Sequence, residues 1–330
     1  MIKIIVKLYH EFYQRIIEKE LTLKRLVIDC DPGVDDAQAI MMAYAHPEVK
    51  IEAVTSVSGN VDVKHTTSNV LKVLDILDAD AIPVYAGAGS ALVSKSENAS
   101  FVHGEDGIGD IGLPNSRRKV EKMPAAVAMI KLAKENPGEL SLIAIGPLTN
   151  LALSIHLEPG LPKLFKELVI MGGAYFSQGI TQNFPAEFNI YADPDAAHVV
   201  FEKWQGFRMV TWEATLAHGI PSETVLKLCQ YDNPRSIFLN KLMSRVDIYK
   251  KTSKTKLSYF ADPLAMAVML EPDIVLESTD KYVQVERFGH LSRGMTVVDW
   301  WGSSQKNPNV NIIQKVDLER FIALFQMAFE

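Results

Sequence analysis

Residues 29–36 read DCDPGVDD, which places four carboxylates within eight residues. The apolar run RLVI precedes this stretch, and the helical pattern AQAIMMAYAH follows it. Like charges this close repel one another, so the cluster needs bound cations, helix-terminus dipoles or protonation of one member. A helix N-terminus favours acidic residues and accounts for Asp35 and Asp36. It does not account for Asp29 and Asp31, so the stretch indicates a functional site at the end of a buried strand.

Outward from this stretch, short β-rich runs alternate with helical stretches. RLVIDC precedes a helix predicted over 34–45, and the runs KIEAVTSVSG, PVYAG, LSLIAIG, ELVIMGG and RMVTWEAT are separated by further helical patterns. Strands that are apolar on both faces and alternate with helices are typical of a mostly parallel sheet covered by helices. The later runs KYVQVERFG, GMTVVDWWG and VNIIQKV favour a small antiparallel C-terminal appendage. We therefore expect an α/β fold with an open, Rossmann-like sheet.

The chain of 330 residues contains no Pro/Gly/Ser-rich linker, which predicts one domain over residues 23–330. Residues 1–22 form an N-terminal extension in which charges interrupt the apolar stretch and no signal-peptide cleavage site occurs. Two interpretations stay open for this extension. It forms an amphipathic helix that docks on the domain or on a partner, or it is not native sequence and the true start lies at Leu23.

Charge and composition exclude several classes of partner. The net charge of −6 and the scattered Lys and Arg residues argue against nucleic-acid binding. No apolar run reaches the ~18–20 residues of a transmembrane helix, so we expect no membrane partner. The two cysteines, Cys30 and Cys229, show no disulfide or metal-binding spacing. They fit a reducing compartment, and a cytoplasmic location is expected.

Polar side chains follow several of the predicted strands, where ligands of open parallel sheets bind. Asn60 follows the second strand, and the motifs GPLTN, MGG and AEFNIYADPDAA follow later ones. Carboxylate, amide and carbonyl oxygens without His or Cys ligands describe a site for Ca²⁺ or Mg²⁺. No zinc spacing, P-loop or GxGxxG motif occurs. A cation beside free carboxylates can activate water or hold a diol, which points to hydrolysis of a polyol or phosphate substrate.

Eight sequence blocks, in order, carry a family resemblance: DCDPGVDDAQAI, SGN at 58–60, HGEDGIG at 103–109, GPLTNLA, VIMGGA, AEFNIYADPDAA, ADPLAMA and RGMTVVD. From residue 25 to the C-terminus, the chain resembles the inosine–uridine-preferring nucleoside hydrolase family. The resemblance implies a calcium-dependent N-ribohydrolase that converts ribonucleosides to ribose and free base. It also implies a homodimer or homotetramer.

The resemblance also implies residue roles. Ca²⁺ would be bound by Asp31, Asp36, Asp262 and the main-chain carbonyl of Ile145, and Asp31 would deprotonate the attacking water. The ribose would be held by a second set of side chains, namely Asp35, Asn60, Met171, Asn183, Glu187 and Asn189. Asp29 would support this set. Independently of the resemblance, two interpretations stay open for His103 on the Gly-rich stretch: it closes over the substrate, or it is an exposed loop residue. Loss of the base develops positive charge on the sugar, which a rim of carboxylates stabilises.

The chain departs from the family at the leaving group. Many relatives carry a His before the last metal-binding Asp, where this chain has Ala261, and Tyr259 is a candidate substitute acid. A nucleoside- or sugar-binding protein with weakened catalysis is therefore an alternative. A Mg²⁺-dependent phosphohydrolase with an Asp nucleophile is a second alternative, which Pro32 and the early Asp35–Asp36 pair disfavour.

Overall fold

The computed structural model describes residues 23–93, 98–182, 184–245 and 256–330. The strands of these residues are β1 (Lys24–Cys30), β2 (Val49–Ser56), β3 (Val84–Ala86), β4 (Leu140–Ala144), β5 (Glu167–Met171), β6 (Phe207–Val210), β7 (Ile220–Pro221), β8 (Leu257–Ser258), β9 (Val275–Lys281), β10 (Val283–Val285), β11 (Thr296–Val298) and β12 (Val310–Val316). The predicted extension over 1–22 and Asn183 lie outside the described residues.

The helices cover both faces of the sheet. They are α1 (Val34–Ala45), α2 (Val63–Ile76), α3 (Ser100–His103), α4 (Ala125–Glu135), α5 (Thr149–Leu157), α6 (Phe188–Ala192), α7 (Pro194–Lys203), α8 (Trp212–Ala217), α9 (Ser222–Leu228), α10 (Pro234–Arg245), α11 (Ala261–Leu270) and α12 (Leu318–Met327), with short 3₁₀ turns at Leu161–Lys163 and Pro272–Ile274. The helix predicted over 34–45 is confirmed as α1. No helix of the described segments combines the length and apolar composition needed to cross a membrane.

The main sheet has the strand order β3-β2-β1-β4-β5-β6-β12-β9 within the described chain. All of its neighbouring strands are parallel except β9, which pairs antiparallel with β12. The α/β class with a mostly parallel, open sheet is thereby confirmed. A parallel sheet gathers the carboxyl ends of its strands on one edge, which we call the carboxyl edge, and we call the opposite edge the amino edge.

The predicted C-terminal appendage is confirmed only in part. β10 and β11 form a separate antiparallel pair, as expected. The assignment of VNIIQKV to this appendage was wrong, because β12 lies in the main sheet, parallel to β6 and antiparallel to β9. Its apolar residues explain the difference: Val310 and Ile312 pack on one face of the sheet and Ile313 on the other. A strand that is buried on both faces belongs inside a sheet rather than on a small hairpin.

The core lies in two apolar layers, one on each face of the sheet. In β1, Leu26 and Ile28 enter one layer and Val27 enters the other, as the alternation of side chains along a strand requires. Helix α11 lies in the first layer and is unusual because all ten of its residues are buried. A helix that is apolar nearly all round is stable only where it is enclosed by protein. Asp262, at its second residue, is therefore carried to the site on a rigid support.

Candidate active site at the carboxyl edge

The carboxylate of Asp31, directly after β1, is enclosed between two glycines. A Cβ atom added to Gly59 would lie 2.1 Å from Asp31 Oδ2, and one added to Gly146 would lie 2.5 Å from Oδ1. The close approach of both backbones therefore requires glycine. Oδ2 accepts a hydrogen bond from the backbone N–H of Asn60 at 2.7 Å, whereas Oδ1 is buried and has no hydrogen-bond partner. An unpaired buried carboxylate oxygen indicates a ligand-binding role.

Asp36 lies in the first turn of α1 and folds back onto the loop before it. Its Oδ1 accepts the N–H of Asp31 at 3.0 Å, and its Oδ2 accepts the N–H of Gly33 at 2.8 Å. The Asn60 amide donates to Asp36 Oδ2 at 3.2 Å and to the carbonyl of Asp31 at 3.0 Å. These bonds connect the first turn of α1 and the loop after β2 to the loop at 31–33. Asp31, Asp36 and Asn60 are thus brought together by direct hydrogen bonds.

Three carboxylates form a compact group at this edge. Asp35, Asp36 and Asp262 each offer an oxygen atom, and these atoms lie within 4.8 Å of one another. Asp31 is not a member of this group but lies beside it, through its bond to Asp36. This group offers only oxygen ligands, and the unpaired Oδ1 of Asp31 lies next to it. Such a set fits a hard cation, because hard cations prefer carboxylate ligands. The group could hold a metal ion.

Burial and mutual repulsion act on these carboxylates in the same direction. Burial, with a further contribution from Asp35, raises the pKa of Asp36 to about 7. Burial and then Asp36 hold the pKa of Asp31 well above its usual range, and burial with Asp35 and Asp36 does so for Asp262. Desolvation disfavours the charged form of an acid, and each like charge adds to the effect. Asp31, Asp36 and Asp262 are therefore all ionised at neutral pH only where a positive charge compensates them.

Asp29 lies inside β1 rather than after it and does not reach the carboxylate group directly. Its Oδ1 accepts hydrogen bonds from Thr55 Oγ1 at 2.6 Å and from Asn150 Nδ2 at 2.8 Å. Its Oδ2 is buried without a partner, and burial raises its pKa to about 7. Asp29 also joins β1 to β4, because its carbonyl accepts the N–H of Ile145 at 2.9 Å. Its position fits the predicted supporting role.

Glu187 caps the N-terminus of α6, and Asn189 lies in the first turn of that helix. The amide of Asn189 donates to the carbonyl of Ile145 at 3.1 Å and to the carbonyl of Met171 at 3.2 Å. Both carbonyls follow or end buried strands, so Asn189 joins β4 and β5 at the carboxyl edge. Glu187 accepts three backbone N–H groups, among them that of Gly173 at 3.0 Å, and burial raises its pKa to about 7. These four predicted residues are therefore neighbours.

His103 lies at the end of α3, beside the N-terminus of α1. Its Nδ1 accepts the backbone N–H of Val34 at 3.1 Å, and burial lowers the pKa of the imidazole despite the nearby charge of Asp35. A neutral imidazole whose Nδ1 accepts a hydrogen bond carries its proton on Nε2. His103 therefore presents an N–H donor at the site. The expectation that it lies over the substrate stays a prediction.

The residue directly before Asp262 is an alanine. Ala261 is the first residue of α11 and is buried beside Asp262. Tyr259, the candidate substitute, is half-buried, and its ring packs so closely on Gly219 that an added Cβ would lie 2.8 Å from Tyr259 Cε1. This packing gives Tyr259 a structural role, and its role as an acid stays a prediction.

Three supporting residues were missed by the sequence analysis. Asn150 holds Asp29 and the carbonyl of Ser56, and Asn69 donates to the carbonyls of Pro32 and Asp106. The carboxylate of Glu213 accepts the backbone N–H groups of the loop after β5, at Tyr175, Phe176 and Gln178. Asn150 belongs to the GPLTN motif after β4, and that position was the available signal. Nothing in the local sequence identifies the partners of Asn69 and Glu213.

The fold and the site define an α/β protein with a carboxylate site suited to a hard metal ion. Residues 26–323 match the family model described as inosine-uridine preferring nucleoside hydrolase. The chain belongs to this family. It is 34% identical over 312 residues to the inosine-uridine preferring nucleoside hydrolase of Crithidia fasciculata, which covers 93% of this chain and 98% of that protein. It is 35% identical over 302 residues to the pyrimidine-specific ribonucleoside hydrolase RihA of an Enterobacter species, with coverages of 91% and 95%.

Solved structures agree with this assignment. An inosine-guanosine nucleoside hydrolase superimposes with a TM-score of 0.86 at 34% identity and covers 93% of this chain and 98% of its own. A purine-preferring ribonucleoside hydrolase from Gardnerella vaginalis superimposes with a TM-score of 0.85 at 29% identity, with the same coverages. The predicted family is therefore confirmed, and the chain is an enzyme of the nucleoside hydrolase class.

Proposed function

We propose that this protein hydrolyses the N-glycosidic bond of ribonucleosides and releases ribose and the free base. The observation that carries the proposal is the buried carboxylate group at the carboxyl edge, in a chain that matches the family over residues 26–323. Loss of a base leaves positive charge on the sugar ring, and anionic side chains held in a water-poor site stabilise that charge.

Asp31 is the proposed general base. Its Oδ2 is occupied by the Asn60 N–H, whereas Oδ1 has no partner and can accept the proton of the attacking water. The bonds from Asn60 and the packing of Gly59 and Gly146 fix the orientation of this carboxylate, and fixed geometry favours proton transfer.

Calcium is the proposed cofactor, with ligands from Asp31, Asp36, Asp262 and the carbonyl of Ile145. When bound, the ion supplies positive charge that makes water more acidic and attracts two adjacent hydroxyl groups of ribose. The fit rests on the all-oxygen donor set and on the unpaired Oδ1 of Asp31. The Ile145 carbonyl has a second lone pair beside the one that Asn189 uses.

The remaining site residues are proposed to hold the sugar and the base. Asp35, Asn60 and Asn189 would bind ribose hydroxyls, Glu187 the 5′-hydroxyl, and Met171 would pack near the sugar. Contact of Asn183 with the 5′-hydroxyl stays a prediction, and it requires a shift of the loop that carries this residue. His103, with its proton on Nε2, would donate a hydrogen bond from above the substrate. A cytoplasmic location and a homodimeric or homotetrameric state complete the proposal.

The direct test is ribose release from inosine, uridine and 2′-deoxyinosine, since the relatives act on purine and pyrimidine substrates. Cleavage of at least one ribonucleoside, with the deoxynucleoside cleaved much more slowly, supports the proposal, because only ribose offers two adjacent hydroxyls. Equal cleavage of inosine and 2′-deoxyinosine would contradict the predicted sugar contacts.

A second candidate function is nucleoside binding with weakened catalysis, which Ala261 in place of the family His favours. Calorimetric titration with inosine and uridine separates the two. Tight binding with no release of ribose, even from the activated substrate p-nitrophenyl riboside, would support the binding protein. Release from the activated substrate would support the enzyme.

A further inference from the structure

Helix α11 connects the two edges of the sheet. Its N-terminus brings Asp262 to the carboxylate group, and its last residues, Val268 and Met269, reach the amino edge, where the described strands begin. The last four carbonyls of a helix have no partner within the helix and carry its partial negative charge. In a fully buried helix these carbonyls need donors from elsewhere in the protein.

Two cationic side chains donate hydrogen bonds to two of these carbonyls. The ammonium group of Lys24, the first residue of β1, donates to the carbonyl of Met269. The guanidinium of Arg208, in β6, donates to the carbonyl of Val268 at 3.3 Å. Positive charge at a helix C-terminus is stabilising, and the effect is larger where the charges are partly buried. We call these two residues, with their shared counter-ion Glu167, the basic clamp.

Glu167 fixes the clamp to the sheet. Its carboxylate pairs with Lys24 Nζ at 3.2 Å and with the guanidinium of Arg208, and it accepts a hydrogen bond from Ser141 Oγ at 2.7 Å. Ser141, Glu167 and the two cations lie at the starts of four adjacent strands, β1, β4, β5 and β6. The end of α11 is thereby connected, through Glu167, to the starts of four adjacent strands.

At the opposite end of α11, the carboxylate of Asp262 is repelled by neighbouring carboxylates. Asp262 faces like charge from Asp35, Asp36, Asp31 and Glu187. Repulsion among these groups favours movement of Asp262 away from the others whenever no cation compensates them. Contacts at the C-terminus of the same rigid helix oppose that movement along the helix axis.

We propose that Lys24 and Arg208 are positioning residues that hold α11, and with it Asp262, at the place where Asp262 binds the metal ion. The inference rests on the proposed calcium site. It assigns to the amino edge a function in metal affinity rather than in folding stability alone. A site whose ligands are already in place binds its ion more tightly than one that must first assemble them.

The test compares two clamp variants, Lys24→Met and Arg208→Met, with the control Arg25→Met. Arg25 lies beside Lys24 and pairs with Glu52 at 2.7 Å and Glu139 at 2.6 Å, and none of its described hydrogen bonds goes to α11. For each protein, calcium affinity is measured by calorimetry and thermal unfolding is recorded with and without calcium.

A purely structural role would destabilise the calcium-free and calcium-saturated proteins equally and would leave the dissociation constant unchanged, by thermodynamic linkage. The proposal predicts a dissociation constant raised about fivefold or more in each folded clamp variant, a smaller calcium-induced rise in Tm, and an unchanged constant in Arg25→Met. Lys24→Arg, which keeps the charge, should restore affinity.

Two results would overturn the inference, and they are distinguishable. Unchanged calcium affinity in the clamp variants, with normal binding by the wild type, refutes the clamp and leaves the proposed function intact. Absence of calcium binding by the wild type refutes the proposed metal site, and the clamp with it. If Arg208→Met does not fold, Lys24→Met alone decides the matter.

Discussion

The charged side chains at the two edges of the sheet differ in how they are paired. At the amino edge, the carboxylate of Glu167 pairs with both Lys24 and Arg208. At the carboxyl edge, within the described residues, the hydrogen bonds to Asp31 and Asp36 come from backbone and amide N–H groups, and no cationic side chain pairs with either carboxylate. Opposite charges at one edge stabilise the fold, whereas like charges at the other destabilise it.

This difference indicates which charges are compensated within the chain and which require a bound ligand. A protein retains a strained, uncompensated group where a ligand later compensates it. Substitutions at the amino edge should therefore lower stability, and neutralising substitutions at the carboxyl edge should lower activity without a loss of stability. The predictions that follow are arranged from the largest expected effect to the smallest.

Asp31→Asn should lower ribosidase turnover by about 10³-fold or more, because the removed carboxylate is the proposed general base. In calcium-free buffer its Tm should not fall, since the change removes one of several mutually repelling buried charges. Steady-state kinetics and differential scanning calorimetry measure the two effects. Near-normal turnover in a folded Asp31→Asn protein would refute the water-activating role.

Asp36→Ala should abolish stoichiometric calcium binding, because it removes a central oxygen donor of the group. Metal analysis after dialysis, with circular dichroism as a check of folding, measures this result. The matched control is Glu52→Gln at the amino edge, a carboxylate paired with Arg25 and Lys50, which should keep the ion. Full retention of calcium by Asp36→Ala would place the ion elsewhere.

Ala261→His tests the apolar residue that directly precedes Asp262 in α11. Proton donation by a placed acid contributes roughly 10²–10⁴-fold, so the wild type should cleave p-nitrophenyl riboside much faster than inosine. Ala261→His should then accelerate inosine cleavage more than cleavage of the activated substrate. Equal wild-type rates would show that another group supplies the proton, and Tyr259→Phe and His103→Gln are the variants that would identify it.

Glu167→Gln should lower the free energy of unfolding by about 1–3 kcal/mol, because it leaves two partly buried cations without their counter-ion. Urea denaturation measures the change. The exposed Glu48, at the same edge, provides the control, since Glu48→Gln should stay within about 0.5 kcal/mol of the wild type. Equal stability of Glu167→Gln and the wild type would show that the ion pairs at the amino edge do not stabilise the fold. The difference between the two edges would then not hold.

Gln38→Met should raise the free energy of unfolding by about 1 kcal/mol. Gln38 is fully buried in α1, one turn after Asp35, and neither polar atom of its amide has a hydrogen-bond partner. An unbranched apolar side chain of similar size removes that desolvation penalty. A lower free energy of unfolding for Gln38→Met in urea would show that the amide has a partner in solution.

Local patterns predicted most of the fold. The apolar periodicity after DCDPGVDD sets the bounds of α1, and runs that are apolar on both faces predict the parallel strands. The place of β12 was not predictable in this way. Its pairing partners, β6 and β9, are set by contacts distant in sequence, and the same apolar run would suit either a small hairpin or a central strand.

The residues of the site likewise divide into those that local sequence patterns predicted and those that they did not. The acidic residues were predicted because their crowding after a strand conflicts with packing alone. Apart from Asn60, the groups that hold these residues in place were not predicted, because their bonds span long sequence separations. Asn150 donates to Asp29 across 121 positions, and Lys24 donates to the carbonyl of Met269 across 245. Such partners become visible only when the fold brings them together.

The central claim is that a calcium ion compensates the negative charge of the carboxylates at the carboxyl edge. With the ion bound, this site hydrolyses ribonucleosides. The most direct measurement is ribose release from inosine and uridine by one preparation of wild-type enzyme, first with calcium, then after chelation, then after calcium is restored. The account predicts turnover with calcium, its loss on chelation together with a lower Tm, and recovery of both on restoration. Turnover that chelation leaves unchanged, or no turnover of either nucleoside at any calcium concentration, would contradict it.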